Sequence, residues 1–226
     1  MTSRAKPKPP QDEVEFFDDV EQGSDEWKRL RLGLPTSSKF SAILAEGEGK
    51  MRTAYLYQLA GEILSGEPYE GFRNSAMERG NLMEPEARDF YARTRFVDLT
   101  PVGFIRRTVR CPLGTDFVIG ASPDAQVDKR KGLELKTMAP HLIIEVALRG
   151  AAGLPPQFRA QIQGTMWVAD WDEMDLMIFY RGMPIAPTFT IVRDDTYIMR
   201  LRDNVERFSY DLRKLVERIK AMGCVR

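Results

Sequence analysis

Ser122-Pro123-Asp124 and, ten residues after the aspartate, Glu134-Leu135-Lys136 form the stretch from which the rest of the chain can be read. Between them lies Asp128-Lys129-Arg130-Lys131-Gly132, a polar run ending in glycine, which reads as the turn of a β-hairpin. The flanks, residues 117–121 and 133–138, are apolar and strand-like. A turn centred near Lys129 sets Asp124 opposite Glu134, and cross-strand partners have Cβ atoms about 5 Å apart. The period of a strand puts Glu134 and Lys136 on one face, so two carboxylates and one ammonium converge.

Adjacent carboxylates repel unless one is protonated or a cation lies between them. Oxygen donors at this spacing suit Mg²⁺ or Mn²⁺ together with water and phosphate oxygens. A lysine beside such a metal can orient or deprotonate the attacking water, and the set is suited to metal-dependent phosphodiester hydrolysis. A Glu-x-Lys triplet arises by chance about once in a chain this long and charged, so the weight comes from Pro-Asp, the turn and the apolar flanks together. The competing reading is a surface hairpin closed by a cross-strand salt bridge.

Composition narrows the classes. The chain has 226 residues and 43% apolar content without a long apolar run, as expected of one soluble globular domain with no membrane span. Residues 1–10 are basic and proline-rich without an apolar segment, so a disordered tail over residues 1–13 is expected in place of a signal peptide, and the cytosol is the default compartment. Cys111 and Cys224 are far apart and lack metal-ligand spacing, which speaks against a disulfide framework, a zinc site or an iron–sulfur cluster. Charge balances at 33 basic and 33 acidic residues, so nucleic-acid binding would rest on a local basic surface and on metal ions. One histidine, His141, cannot supply a histidine cluster, and its place at an expected helix start suggests a structural role.

Upstream, residues 14–20 are acidic and aromatic and are expected on the domain surface. A helix opens at Ser24 or Asp25, places Trp27, Leu30 and Arg31 near one face, and stops at Gly33. A second starts at Thr36-Ser37-Ser38, where free backbone N–H groups and hydroxyls close to Arg31 can serve as plain caps or as an anion site. Helices are expected over 52–64 and 74–95, the latter carrying Met77, Glu78, Glu84 and Glu86, with Lys50 and Arg52 beside the 46–50 loop as candidate DNA contacts. Residues 97–108 turn β-like. After the hairpin come helices over 141–148 and 155–169, strands over 174–180 and 187–192, and a long amphipathic helix over 195–222. That order gives an α/β or α+β domain with a central mixed sheet, a single domain over 14–226.

Several of these segments together resemble the phage lambda exonuclease family, the viral-recombinase branch of the PD-(D/E)xK nuclease superfamily. They are Gln22-Gly23-Ser24-Asp25-Glu26-Trp27, Leu30-Arg31-Leu32-Gly33, Thr36-Ser37-Ser38, Arg79-Gly80-Asn81-Leu82-Met83-Glu84, Ser122-Pro123-Asp124, Gly132-Leu133-Glu134-Leu135-Lys136, and Gln161-Ile162-Gln163 with Met166-Trp167-Val168. The resemblance implies that Asp124, Glu134 and the Leu135 carbonyl bind two Mg²⁺ ions, with Mn²⁺ as a substitute, and that Glu84 completes the set. It assigns water activation to Lys136, positioning of water or phosphate to Gln161, and a terminal 5′-phosphate pocket to Arg31, Ser38 and Ser122. Met77 would lie near residues that unpair the duplex end. The implied activity is 5′→3′ digestion of one strand of linear duplex DNA to mononucleotides, leaving a 3′ overhang for recombination. The implied assembly is a ring-shaped homotrimer working beside a single-strand annealing protein in the host cytoplasm. Two rivals remain: a superfamily endonuclease, which has no use for the phosphate pocket, and a non-catalytic scaffold for DNA ends.

Overall fold

The computed structural model describes residues 12–45, 49–69, 75–111 and 114–223. Among these residues seven strands form two sheets. β1 (Glu13–Phe17), β2 (Phe104–Val109) and β3 (Phe117–Ala121) make an antiparallel three-stranded sheet in that order. β4 (Ala125–Asp128), β5 (Lys131–Thr137), β6 (Glu173–Phe179) and β7 (Thr188–Val192) make the second, with β5 and β6 parallel and the outer pairs antiparallel.

The hairpin therefore differs from the expected one in its first arm. β3 pairs with β2, Ile105 opposite Ala121, and the true partner of β5 is the four-residue β4. Ser122-Pro123-Asp124 is the crossing between sheets. Pro123 has no N–H to give to a ladder, so pairing lapses there and the chain can change sheets. Pairing resumes as Asp124 N donates to Leu133 O at 3.1 Å, and continuing the Ala125–Leu133 register places Asp124 across from Glu134, as the sequence predicts.

Residues 14–17, expected on the domain surface, are found there with Glu13 as the mostly exposed edge strand β1. Alternate acids there meet arginines of β2: Glu15 lies opposite Arg106 and pairs with it at 2.8 Å. Asp12 pairs with Arg107 at 2.9 Å, so the folded body includes Asp12 and Glu13, which the sequence reading assigned to the tail.

Seven α-helices surround the sheets among the described residues. Ser24 caps α1 (Asp25–Arg31) by accepting from Trp27 N at 3.2 Å, and Gly33 leaves it with φ +70, a left-handed turn that glycine adopts without a Cβ penalty. A 3₁₀ turn (Ser37–Lys39) leads into α2 (Phe40–Leu44). α3 (Lys50–Ser65), α4 (Ser75–Arg95), α5 (Pro140–Arg149), α6 (Pro156–Ala169) and α7 (Asp195–Gly223) complete the order.

α6 is the centre of the core. Ile162, Met166, Trp167 and Val168 are buried on nearly all sides of it, against Phe40, Ile105 and the α7 stripe Leu201, Val205 and Phe208. Each such side chain contributes about 1.5–3 kcal/mol through removal from water. Gly164 lets α2 approach, since a Cβ there would lie 2.4 Å from the Phe40 ring. A smaller cluster seats Met83, Ala87 and Tyr91 of α4 on Leu133, Met177 and Phe179. The fold thus holds α4 and α6 beside β5, which carries the acids. His141 lies in the first turn of α5, the helix start expected for it, and is exposed there. Cys111 is a free thiol, while Cys224 lies outside the described residues. No described helix is long and apolar enough to cross a membrane.

Candidate active site

Strand alternation places Glu134 and Lys136 on the same face of β5, and Asp124 meets them from the crossing. Lys136 Nζ donates to Glu134 Oε1 at 2.6 Å, and Gln161 Nε2 reaches the same oxygen from α6. The second oxygen, Glu134 Oε2, is buried without a hydrogen-bond partner. Asp124 Oδ2 accepts from Leu135 N. Burial first, then the nearby charges of Glu134 and Glu84, hold the Asp124 carboxyl well above the usual carboxylate range. Burial opposes the charge on Lys136, but the pull of Glu134 and Asp124 outweighs it and leaves the ammonium more basic than usual. Lys136 also lies 5.6 Å from the centre of the Phe158 ring.

Glu84 arrives on α4, but its carboxylate is taken by Arg88 one turn later, Nη2 to Oε1. Among the described residues no three His, Cys, Asp or Glu side chains gather as a ready metal cluster. Glu84 therefore acts on Asp124 and Lys136 through its charge and is not joined to them as a ligand in this conformation.

The remaining donors fit a hard divalent cation. They are all oxygens, Glu134 Oε2 is buried and unpaired, and Asp124 is an acid whose charge Lys136 and the Leu135 N–H offset only in part against burial and its carboxylate neighbours. Leu135 turns its N–H toward Asp124, and the carbonyl of a strand residue leaves on the same edge as its N–H.

A second set lies at the other end of the crossing. Arg31 Nη1 donates to Ser122 Oγ at 3.0 Å, and Trp27 Nε1 donates to the same hydroxyl at 2.9 Å and to Gly103 O at 3.1 Å. The Arg31 guanidinium sits 4.0 Å over the Trp27 ring. Burial lowers the Arg31 pKa to about 10, partly offset by Tyr55 and Glu62, so it remains charged at neutral pH. No carboxylate among the described residues lies within ion-pair distance of it. Ser38 is exposed and its hydroxyl meets Thr36 at 3.4 Å, not Arg31, although the Thr36–Gly120 bridge brings it beside β3, which ends one residue before Ser122.

Three residues given no role by the sequence matter here. Gln22 pins the crossing by donating to Val102 O at 2.8 Å and Pro123 O at 2.9 Å. Trp27 orients Ser122 and Arg31; its signal was an aromatic–arginine pair at i,i+4. Arg88 was an i,i+4 partner of Glu84. Trp27, Gln22, Glu84 and Arg88 line one cleft of ≈ 790 Å³. A larger groove of ≈ 1350 Å³ between α1 and α3, with Lys28, Arg29, Lys39 and Glu62, includes none of Asp124, Glu134 and Lys136.

The candidate DNA contacts divide. Lys50 is exposed at the start of α3, whereas Arg52 is tied to Asp211 of α7 at 2.7 Å and lies over the Phe208 ring, so it serves as a helix–helix strut. Residues 46–48 and the Met77 side chain lie outside the described residues.

The model of the YqaJ-like viral recombinase domain matches residues 26–172. Among solved structures the chain is similar to LHK-Exo, an alkaline exonuclease from Laribacter hongkongensis, at 26% identity and TM-score 0.76 over 89% of this chain and 98% of that one. A complex of LHK-Exo with dAMP superposes equally well, with TM-score 0.77. A phage related exonuclease from Haemophilus somnus 129PT shares the fold, at 18% identity and TM-score 0.61 over 85% of this chain and 99% of that one. No curated protein gives a significant match. The fold is the PD-(D/E)xK type expected, with the central sheet resolved into two.

Proposed function

This chain belongs to the YqaJ-like viral recombinase family, and from that premise we propose that it is a Mg²⁺-dependent exonuclease that digests one strand of linear duplex DNA from its 5′ end. The family makes it a nuclease acting on DNA in recombination. The observation that carries the finer reading is Glu134 Oε2, a buried carboxylate oxygen without a partner beside Asp124, whose carboxyl is held well above the usual carboxylate range by burial and by Glu134 and Glu84.

Asp124, Glu134 and the Leu135 carbonyl would hold Mg²⁺ or Mn²⁺, with Glu84 turning in to complete a two-ion site. When bound, such ions act as Lewis acids and generate a hydroxide-like nucleophile near neutral pH. Gln161, held on Glu134, orients the attacking water. As an ammonium, Lys136 sets a positive charge next to the reacting phosphate; once cations neutralise its carboxylate neighbours and it has given its own proton to solvent, the neutral amine can take the water proton. Arg31 and Ser122, with Ser38 at the rim, hold the terminal 5′-phosphate by charge-assisted hydrogen bonds. LHK-Exo has been seen with dAMP, a deoxynucleoside monophosphate, which supports a mononucleotide product here. A ring-shaped homotrimer and a single-strand annealing partner complete the proposal.

The test is digestion of 5′-phosphorylated or 5′-hydroxyl linear duplex, beside closed circles, with Mg²⁺ or EDTA. Metal-dependent loss of the phosphorylated strand from its 5′ end, with circles intact, is expected. Nicking of circles at a similar rate would point instead to an endonuclease, and absence of any cutting to a scaffold.

A further inference from the structure

Arg88 is more than a partner for its neighbour. It lies one turn after Glu84 on α4, and the two side chains are 31% and 32% exposed. A guanidinium carries five donors, yet Nη2 reaches Glu84 while Nε is buried without a partner. A buried, unpaired donor on a charged group is a costly state to keep unless another state uses it. Arg88 also stands between two clefts, one of ≈ 790 Å³ with Glu84, Gln22 and Trp27, the other of ≈ 270 Å³ with Leu99, Pro101 and Ala125, the residue after Asp124.

The backbone around Glu84 is suited to movement. Pro85 follows it inside α4, and a proline in a helix interior removes one i→i−4 hydrogen bond and loosens that turn. Glu84 is near enough for its charge to act on Asp124 and Lys136, but it is not gathered with them. In this conformation its carboxylate is paired with Arg88 instead.

We propose that Glu84 and Arg88 form an exchange pair: Arg88 retains Glu84 in the metal-free enzyme, and when Glu84 turns to a divalent cation beside Asp124, the released guanidinium binds a phosphodiester oxygen of the DNA. The inference rests on the nuclease reading above. Arg88 then contributes to DNA affinity only when metal is bound. An arginine that merely braces a helical turn, or one that touches DNA at all times, contributes equally with and without metal.

The experiment measures binding of the full chain to a 5′-phosphorylated duplex by fluorescence anisotropy, in EDTA and in Ca²⁺, with product analysis confirming uncut DNA. Arg88→Gln should weaken binding about tenfold to a hundredfold in Ca²⁺, as for loss of a charged hydrogen bond, and less than twofold in EDTA. Arg88→Lys should recover part of the loss, and melting curves report whether either variant is folded. Without DNA, Mn²⁺ titration by calorimetry should show tighter binding to Arg88→Gln, which lacks the competing cation, and loss of one ion in Glu84→Gln. Equal weakening in both conditions, or none in Ca²⁺, would overturn the exchange while leaving the nuclease reading intact. If the unaltered protein neither binds metal nor cuts DNA, the nuclease reading falls and the exchange with it.

Discussion

Trp27 and Arg31 stand one helical turn apart on α1, stacked at 4.0 Å, and both donate to the hydroxyl of Ser122. The indole holds the guanidinium flat and Ser122 fixes its edge, so a positive charge that has no carboxylate of the described residues within ion-pair distance faces the end of the crossing. Arg31→Ala should lower kcat/KM on 5′-phosphorylated ends by about tenfold to a hundredfold, the worth of one or two charge-assisted bonds, with little change on 5′-hydroxyl ends. The ratio of the two rates, measured on matched duplexes, is the readout. A uniform loss on both ends would remove the phosphate pocket from the proposal.

Asp124→Asn keeps the shape and an acceptor for Leu135 N but removes one of the crowded charges. Metal-dependent cleavage should fall by about a thousandfold or more, since an essential ligand is lost. The metal-free protein should melt at a higher temperature than the unaltered chain, because the cost of burying the charge, and then the repulsion from Glu134 and Glu84, are relieved. Nuclease assays and calorimetry in EDTA report the two effects separately.

Arg52 and Lys50 should separate in the opposite sense to their similarity in sequence. Arg52→Ala should cost about 1 kcal/mol of stability through the lost Asp211 pair and leave the salt dependence of DNA binding unchanged. Lys50→Ala should leave stability unchanged and reduce the slope of log K against log salt by about 1. Denaturant titrations and binding isotherms over a salt series check both.

Asp175 is a buried anchor for α4: it accepts from Tyr91 and from Thr190 at 2.7 Å, and pairs with Lys131 at 3.0 Å. Burial raises its pKa, but these partners together leave it below the usual carboxylate range. A depressed carboxylate adds stability above its unfolded pKa of about 3.9, and that stability is lost as pH falls through the lower folded value. Asp175→Asn should therefore cost about 2 kcal/mol at pH 7, the variant and the unaltered chain converging as the solution is acidified below about pH 4. Urea melts at stepped pH give the comparison.

A turn centred on Lys129 predicts Asp124 opposite Glu134, and that facing is found, but the turn itself pairs Asp128 with Lys131; an irregularity between Gln126 and Asp128, which no local pattern announced, shifts the register by one residue and restores it. The strand over 117–121 was legible as a strand but not as a member of another sheet, since its pairing with β2 is decided by contacts that local periodicity does not carry. β1 was hidden for a related reason: its acids look like solvated surface until Arg106 and Arg107 are brought opposite them. The family resemblance pointed to Arg31, Ser122 and Gln161, and geometry joins each to a partner there. Arg52 misled because its partner, Asp211, lies in the last helix, while Glu84 was assigned as a ligand without weighing the arginine one turn away.

The three-residue crossing has a metrological consequence. Ser122 belongs to the end-holding pocket and Asp124 to the acids, and the rigid ring of Pro123 sets the gap between them, an extended span of no more than about 7 Å. On the proposed reading, the protein backbone is itself the yardstick for product length. Where the strand is cut is counted from its end by one proline, whatever bases the strand contains.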